Sequence, residues 1–227
     1  MQVILKYFPD LTPEQIVRFQ NLASLYRNWN SIIKVLPRKE IDTFYEEHVL
    51  HSLAIAKVVK FKSGSRILDV GTGGGFPGIP LAILYPTCQF ELLDSMQKRI
   101  QVVKAVKETL NLKNVTAIHG KIEDFFDEYD FVVSRAIASF PNLVALVKKN
   151  ISDKSFNIRP NGIIYLKGGS FEDEIIDFKK KVEVCEIKRF FNEPSFLTKK
   201  VVYLPVVNYY SPQVPESIPN NYLKKLF

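Results

Sequence analysis

"RILDVGTGGGFPGIPLAI", Arg66 to Ile83, decides how this chain folds: five glycines and two prolines lie between two apolar runs. A buried strand that ends in "DVG" and meets Gly71, Gly73, Gly74 and Gly75 must turn sharply before "GIPLAILY" can begin a helix. Bare backbone at such a turn lets a ligand approach closely, and the free N–H groups of a helix start favour a carboxylate or phosphate. A dinucleotide fingerprint, GxGxxG, would need its third glycine at position 76, which is Phe76. Shifting the frame to Gly73, Gly75 and Gly78 restores the string but begins it two residues late.

Outward from this turn, the runs "CQFELLD", "VTAIHG", "YDFVVS" and "GIIYLKG" are rich in β-formers. They alternate with segments of helical period such as "SMQKRIQVVKAVKETLNL". Alternating strands and helices predict an α/β, doubly wound, mostly parallel sheet. "KVEVCEIKRFF" and "KKVVYLPVV" predict an antiparallel edge. Upstream, Thr12 as N-cap, Pro13 at the first helical position, and Ile16, Phe19, Ala23 and Tyr26 on one face predict an amphipathic helix. "EIDTFYEEHVLHSLAIAKVV" predicts a second. The expected organisation is an N-terminal helical extension over 1–62, a catalytic domain over 63–207, and a Pro- and Asn-rich tail over 208–227.

Of 227 residues, 31 are Lys or Arg and 24 are Asp or Glu, and the net charge of +7 points to a polyanionic partner, with nucleic acid a leading candidate. Two cysteines, Cys88 and Cys185, are too few for a disulfide framework and sit in no metal-ligand spacing. His48 and His51 are one helical turn apart, yet no carboxylate or cysteine completes a metal set, so no metal is expected. "MQVILKYFPDLTPEQ" has no basic region followed by a long apolar run, and no uncharged segment reaches membrane-spanning length. A soluble, cytoplasmic, monomeric protein without a membrane partner is the expectation.

The pattern that fits the strand in register is Asp69-x-Gly71-x-Gly73-x-Gly75, which resembles the first motif of class I (Rossmann-like) S-adenosylmethionine-dependent methyltransferases. Asp94 ends the second strand about 20 residues beyond the glycines, where an acid can accept both ribose hydroxyls; the same residue could serve as a helix N-cap. "DVGTGGGFPGIPLAI", "LLDSMQKRIQVVKAV", "VVSRAIAS" and "YLKGG", with "WN" and "EEHVLHSLA" upstream, resemble the bacterial 16S ribosomal RNA guanine-N7 methyltransferase family, RsmG, formerly GidB. The likeness runs from Trp29 to Lys167. It departs at Lys34, where the family commonly has asparagine, and at Pro37, where a small residue is usual.

This resemblance implies S-adenosylmethionine as cofactor, methyl transfer to N7 of a specific guanine, and 16S ribosomal RNA or the small ribosomal subunit as partner. It also implies cofactor contacts at Gly71, Phe76, Ile122, Glu123 and Arg135; Gly73 and Asp94 join them from the residue pattern itself. Glu123 could accept the adenine amino group or be an exposed charge. Arg135, at the end of an apolar strand, suits an anion or a structural ion pair. Lys167 ends the next strand, where it could orient a guanine edge or phosphate, or simply be solvated. "IKRFFNEPSFLTKK" interleaves aromatics and cations as RNA-binding surfaces do, and an edge strand protected from aggregation has the same composition. The fourth strand lacks an Asn/Asp-Pro-Pro-aromatic element and the cysteines lie away from the strand ends, so neither amine nor carbon methylation is favoured. No catalytic base is expected, since a ring nitrogen with a free lone pair needs only alignment. Rival functions are methylation of a small molecule or protein, nicotinamide-dependent dehydrogenation, and RNA binding without catalysis.

Overall fold

A computed structural model describes residues 1–37, 40, 42–135, 139–179 and 181–206. The expected tail over 208–227 lies outside them. Among the described residues, seven strands form one sheet in the order β3-β2-β1-β4-β5-β7-β6. They are β1 (Arg66–Val70), β2 (Gln89–Asp94), β3 (Val115–His119), β4 (Phe131–Arg135), β5 (Gly162–Gly168), β6 (Glu183–Glu186) and β7 (Lys199–Pro205). Pairings of β1 with β2 and β4, of β2 with β3, and of β4 with β5 are parallel. β7 runs antiparallel to both β5 and β6. The two terminal runs thus pair as the sequence predicts, but β7 inserts between β5 and β6 instead of forming the edge itself. The order reverses between β1 and β4, which opens a crevice at their carboxyl ends.

Helix α1 (Gln2–Tyr7) and α2 (Pro13–Ile32) form the start of the extension. α2 begins in a capping box in which Thr12 Oγ1 accepts from Gln15 N and Gln15 Oε1 accepts from Thr12 N. The amide of Gln15 also donates to the carbonyls of Ile83 and Leu84, tying this helix start to the end of α5 (Gly78–Leu84). Phe19, Leu22 and Tyr26 are buried and share one hydrophobic cluster with Ile67, Phe90 and Phe131 of the strands. The extension therefore packs as part of the sheet's own core, and burying this apolar face supplies most of its stability. Its second segment is not the single helix expected. It is a π-helical turn, Tyr45–Leu50, followed by short α3 (His51–Leu53) and α4 (Ile55–Val58). α6 (Gln97–Thr109) and α7 (Phe140–Val147) complete the layers, and the second cluster, with Leu68, Val132, Phe140 and Tyr165, fills the opposite face.

Candidate active site

The crevice is a cavity of about 660 Å³. Its lining includes the glycine turn Gly71–Gly74 and Phe76 after β1, Asp94 at the end of β2 and Arg99 after it, Ile122 and Glu123 after β3, and Arg135 at the end of β4. Gly73 has φ +59°, a left-handed conformation that disfavours side chains, and a Cβ built on it would meet nothing within 4 Å. Its missing side chain leaves open space where a ligand can lie against the backbone. The turn is held from outside by the extension. Tyr26 Oη donates to Gly74 O, and Val35 Cβ lies 3.1 Å from where a Cβ on Gly74 would sit.

Asn30 pins the segment that covers the turn. Its Oδ1 accepts from the amides of Val35 and Leu36 at 2.9 Å each, and its Nδ2 donates to Leu36 O at 3.1 Å. Sequence reasoning missed this residue, although the "WN" pair that contains it was the available signal. Trp29 beside it packs against the core, and Lys34 is exposed next to cavity-lining Val35.

Two buried aspartates organise the floor. Asp94 is 3% exposed; its Oδ2 accepts from Gly73 N at 2.9 Å and its Oδ1 from Met96 N at 2.8 Å, while Arg99 Nη1 lies 3.4 Å away. It is thus both a turn anchor and a cavity wall. Asp69 is fully buried beneath the turn, with Oδ2 accepting from Thr72 Oγ1 at 2.6 Å and Gly78 N at 2.7 Å. Burial pushes its pKa up to about 7, against the pull of those two hydrogen bonds and of Arg135. A folded pKa above the unfolded value, about 3.9, means the native state holds the proton more tightly. Stability from this group is fully present below about pH 4 and is lost as pH rises through 7. Urea unfolding from pH 5 to 8 is therefore expected to give a less negative slope of stability with pH in Asp69→Asn than in the unsubstituted chain. Equal slopes would contradict this assignment.

Arg135 closes the cavity from the end of β4. Nη1 donates to Glu47 O at 3.3 Å, Nη2 lies 3.1 Å from His48 Nδ1, and the guanidinium stands 5.2 Å from the Phe76 ring centroid. Phe76 is 2% exposed and packs against Tyr26, Phe44 and His48, so it is a core residue that also lines the cavity. Burial and the charges of Arg135 and Lys199 lower His48 to a pKa of about 3, leaving a neutral ring. His51 is buried and shifted down for the same first reason. Among the described residues no group of three or more His, Cys, Asp and Glu side chains is placed to hold a metal.

The structure brings Gly71, Gly73, Phe76, Asp94, Ile122, Glu123 and Arg135 into this one cavity. Ile122 is buried and Glu123 exposed. Lys167 is not among the lining residues: its Nζ donates to Glu174 Oε1 at 2.9 Å, and Glu174 Oε2 in turn accepts from Phe140 N at the start of α7. The expected crevice-facing lysine is thus spent on an ion pair. "IKRFFNEPSFLTKK" also differs from an RNA-binding face. Phe191 and Phe196 are fully buried, Lys199 pairs with Glu47, Lys200 with Glu172, and Lys188 and Arg189 with Glu186. Cys88 is buried just before β2 and Cys185 lies in β6, both away from the cavity.

Solved structures share this fold. A S-adenosylmethionine-dependent methyltransferase from Aquifex aeolicus superposes with a TM-score of 0.53 at 17% identity, covering 76% of this chain and 100% of that one. MtNAS, in complex with S-adenosylmethionine, superposes with a TM-score of 0.53 at 14% identity over 84% of this chain and 76% of its own. At the level of sequence the similarity is far closer. The ribosomal RNA small subunit methyltransferase G of Bacteroides fragilis is 50% identical over 206 residues, 91% of this chain and 100% of that protein. That of Cytophaga hutchinsonii is 52% identical over 205 residues, covering 90% and 99%. The family model for GidB, rRNA small subunit methyltransferase G, matches residues 15–200, a span that holds all but the first two residues of α2, the glycine turn, Asp94 and Arg135. With cavity, fold and relatives in agreement, this chain belongs to the rRNA small subunit methyltransferase G family.

Proposed function

We propose that this protein transfers a methyl group from S-adenosylmethionine to N7 of a guanine in 16S ribosomal RNA, acting as a cytoplasmic monomer on the RNA or the small subunit. The observation that carries this is the convergence of the glycine turn, Asp94 and Arg135 on one cavity in a chain of this family. The donor chemistry fits the cofactor: a buried carboxylate for ribose hydroxyls, an arginine for a carboxylate, and a side-chain-free stretch at Gly73. When bound, S-adenosylmethionine supplies an electrophilic methyl group on a sulfonium.

In this reading Asp94 accepts the ribose hydroxyls, and Ile122 and Glu123 line the adenine side, where Glu123 accepts from the exocyclic amine. Gly71 and Gly73 offer backbone, and Phe76 walls the methionine end together with Arg135. Two of the five N–H donors of Arg135 are used by Glu47 and His48, and among the described residues no partner takes the other three. They serve a carboxylate. Lys167, held by Glu174, supports α7 and contributes no direct contact to cofactor or guanine. Among the described residues no helix is long and apolar enough to cross a membrane, and the net charge of +7 suits a phosphate-rich partner.

Guanine N7 is unprotonated near neutrality, so the protein has only to align it, and no general base is required. His48 is held neutral, and Asp69 lies beneath the turn, outside the lining of the cavity. Single-turnover methylation of ribosomal RNA with both substrates saturating is therefore expected to vary less than about threefold from pH 6.5 to 8.5. Digested RNA is expected to contain 7-methylguanosine. A bell-shaped profile that a side-chain substitution removes, or label on an exocyclic amine or ribose, would overturn the target atom.

A further inference from the structure

The π-helical turn Tyr45–Leu50 is the only described segment of its kind, and such turns recur where a functional group has to be placed. It presents Glu47 O and His48 Nδ1 to the same guanidinium, at 3.3 and 3.1 Å. We propose that His48 is a positioning residue that aims the Arg135 guanidinium into the cofactor cavity. The inference rests on the reading of Arg135 as a cofactor-binding group.

Arginine has donors and no acceptor, so the His48 nitrogen facing it has to be the bare one. The single proton of the neutral ring then sits on Nε2, which lies 3.0 Å from Glu40 Oε2 without making a hydrogen bond to it. His48 Nδ1 and Glu47 O, side by side on the π-helical turn, hold two nitrogens of the guanidinium and so fix its orientation. Packing removes the remaining freedom: the His48 ring is 5.2 Å from Phe76 and 5.9 Å from Phe44, and Phe76 stands beside the guanidinium it helps to place. A protonated ring would set two buried cations face to face, with Lys199 adding a third positive charge and His51 adjoining. The imidazole therefore works as a fixed acceptor and not as an acid or base. Without it, one donor of a nearly buried guanidinium loses its partner, and the fork is free to rotate away from its ligand.

The test is calorimetric binding of S-adenosylhomocysteine to the full chain carrying His48→Leu, His48→Asn, His48→Gln, Arg135→Ala, or Arg135→Ala with His48→Leu. Leucine keeps the apolar packing but offers no acceptor, so affinity is expected to fall about tenfold, the order of one hydrogen bond to a charged group. Asparagine, whose Oδ1 can take the place of Nδ1, is expected to stay within about threefold of the unsubstituted chain, whereas glutamine falls about tenfold. With Arg135 already removed, His48→Leu is expected to cost nothing further. A full additional loss in that background, or equal affinities for the asparagine and glutamine variants, would overturn the positioning role, since a purely structural histidine affects binding whether or not Arg135 is present. The asparagine and glutamine pair decides the matter even if the leucine variant does not fold. Unchanged affinity in Arg135→Ala alone would instead refute the cofactor role of Arg135, and the inference with it.

Discussion

Asp94→Ala is expected to weaken S-adenosylhomocysteine binding at least about a hundredfold. In the proposed function the carboxylate accepts two ribose hydroxyls, and hydrogen bonds to a charged acceptor contribute about 1.5–3 kcal/mol each, against about 1.4 kcal/mol per tenfold of affinity. The same change leaves Gly73 N and Met96 N without their acceptor. Unfolding stability is therefore expected to fall by about 1–3 kcal/mol, which calorimetry and urea titration can separate from the binding loss. Asp94→Asn, with one acceptor oxygen left, is expected to lie between the two. An alanine variant that is folded and binds within threefold of the unsubstituted chain would remove Asp94 from the cofactor site.

Gly73→Val is the second. The backbone there is left-handed, and a β-branched residue pays about 1–2 kcal/mol or more to adopt that conformation, yet its Cβ would strike no neighbour. The chain is therefore expected to fold, as circular dichroism and a cooperative melt would report. The side chain would occupy the space at the cavity floor where the ligand has to touch backbone. Binding of S-adenosylhomocysteine is expected to drop below detection in a calorimeter, and methylation of ribosomal RNA with it. Gly78→Ala makes a useful contrast, because a Cβ there would lie 2.7 Å from Asp69 Oδ2 and 2.7 Å from Leu92 Cγ. That variant is expected to lose stability first and binding as a consequence. A folded Gly73→Val protein with ordinary affinity would place the ligand elsewhere.

Period and turn chemistry made the architecture legible. Strand-forming runs alternating with helical segments dictate parallel pairing, and a five-glycine break after "RILDV" marks the one turn bare enough for a ligand. Asp94 was legible for the same reason: in a doubly wound sheet an acid that ends β2 lies beside that turn whatever else surrounds it. The capping box of α2 is as local as a signal can be, with Thr12 and Gln15 satisfying each other's backbone N–H across four residues of chain.

Contacts between segments far apart in the chain had no such signature. Lys167 and Glu174 are close in sequence, but their pairing depends on how the chain after β5 returns toward α7, so a lysine at a strand end read as a ligand group. Phe191 and Phe196 looked available for stacking because composition does not reveal which aromatics meet α1 and α3; they are buried against Tyr7, Phe8 and His51. Asn30 and His48 are polar residues in apolar helical surroundings, ordinary in the sequence, and acquire roles only through Val35, Leu36 and Arg135.

The amino-acid order by itself determined the α/β sheet, the glycine turn and the acid that faces it, since each follows from hydrogen bonding and backbone sterics within a few dozen residues. Which cations are paired, which aromatics are buried, and what contacts Arg135 were decided only by tertiary packing, of the extension against the strand ends and of the chain after β5 against α7. Charge pairing and burial depend on that three-dimensional neighbourhood, and spacing along a chain does not encode it.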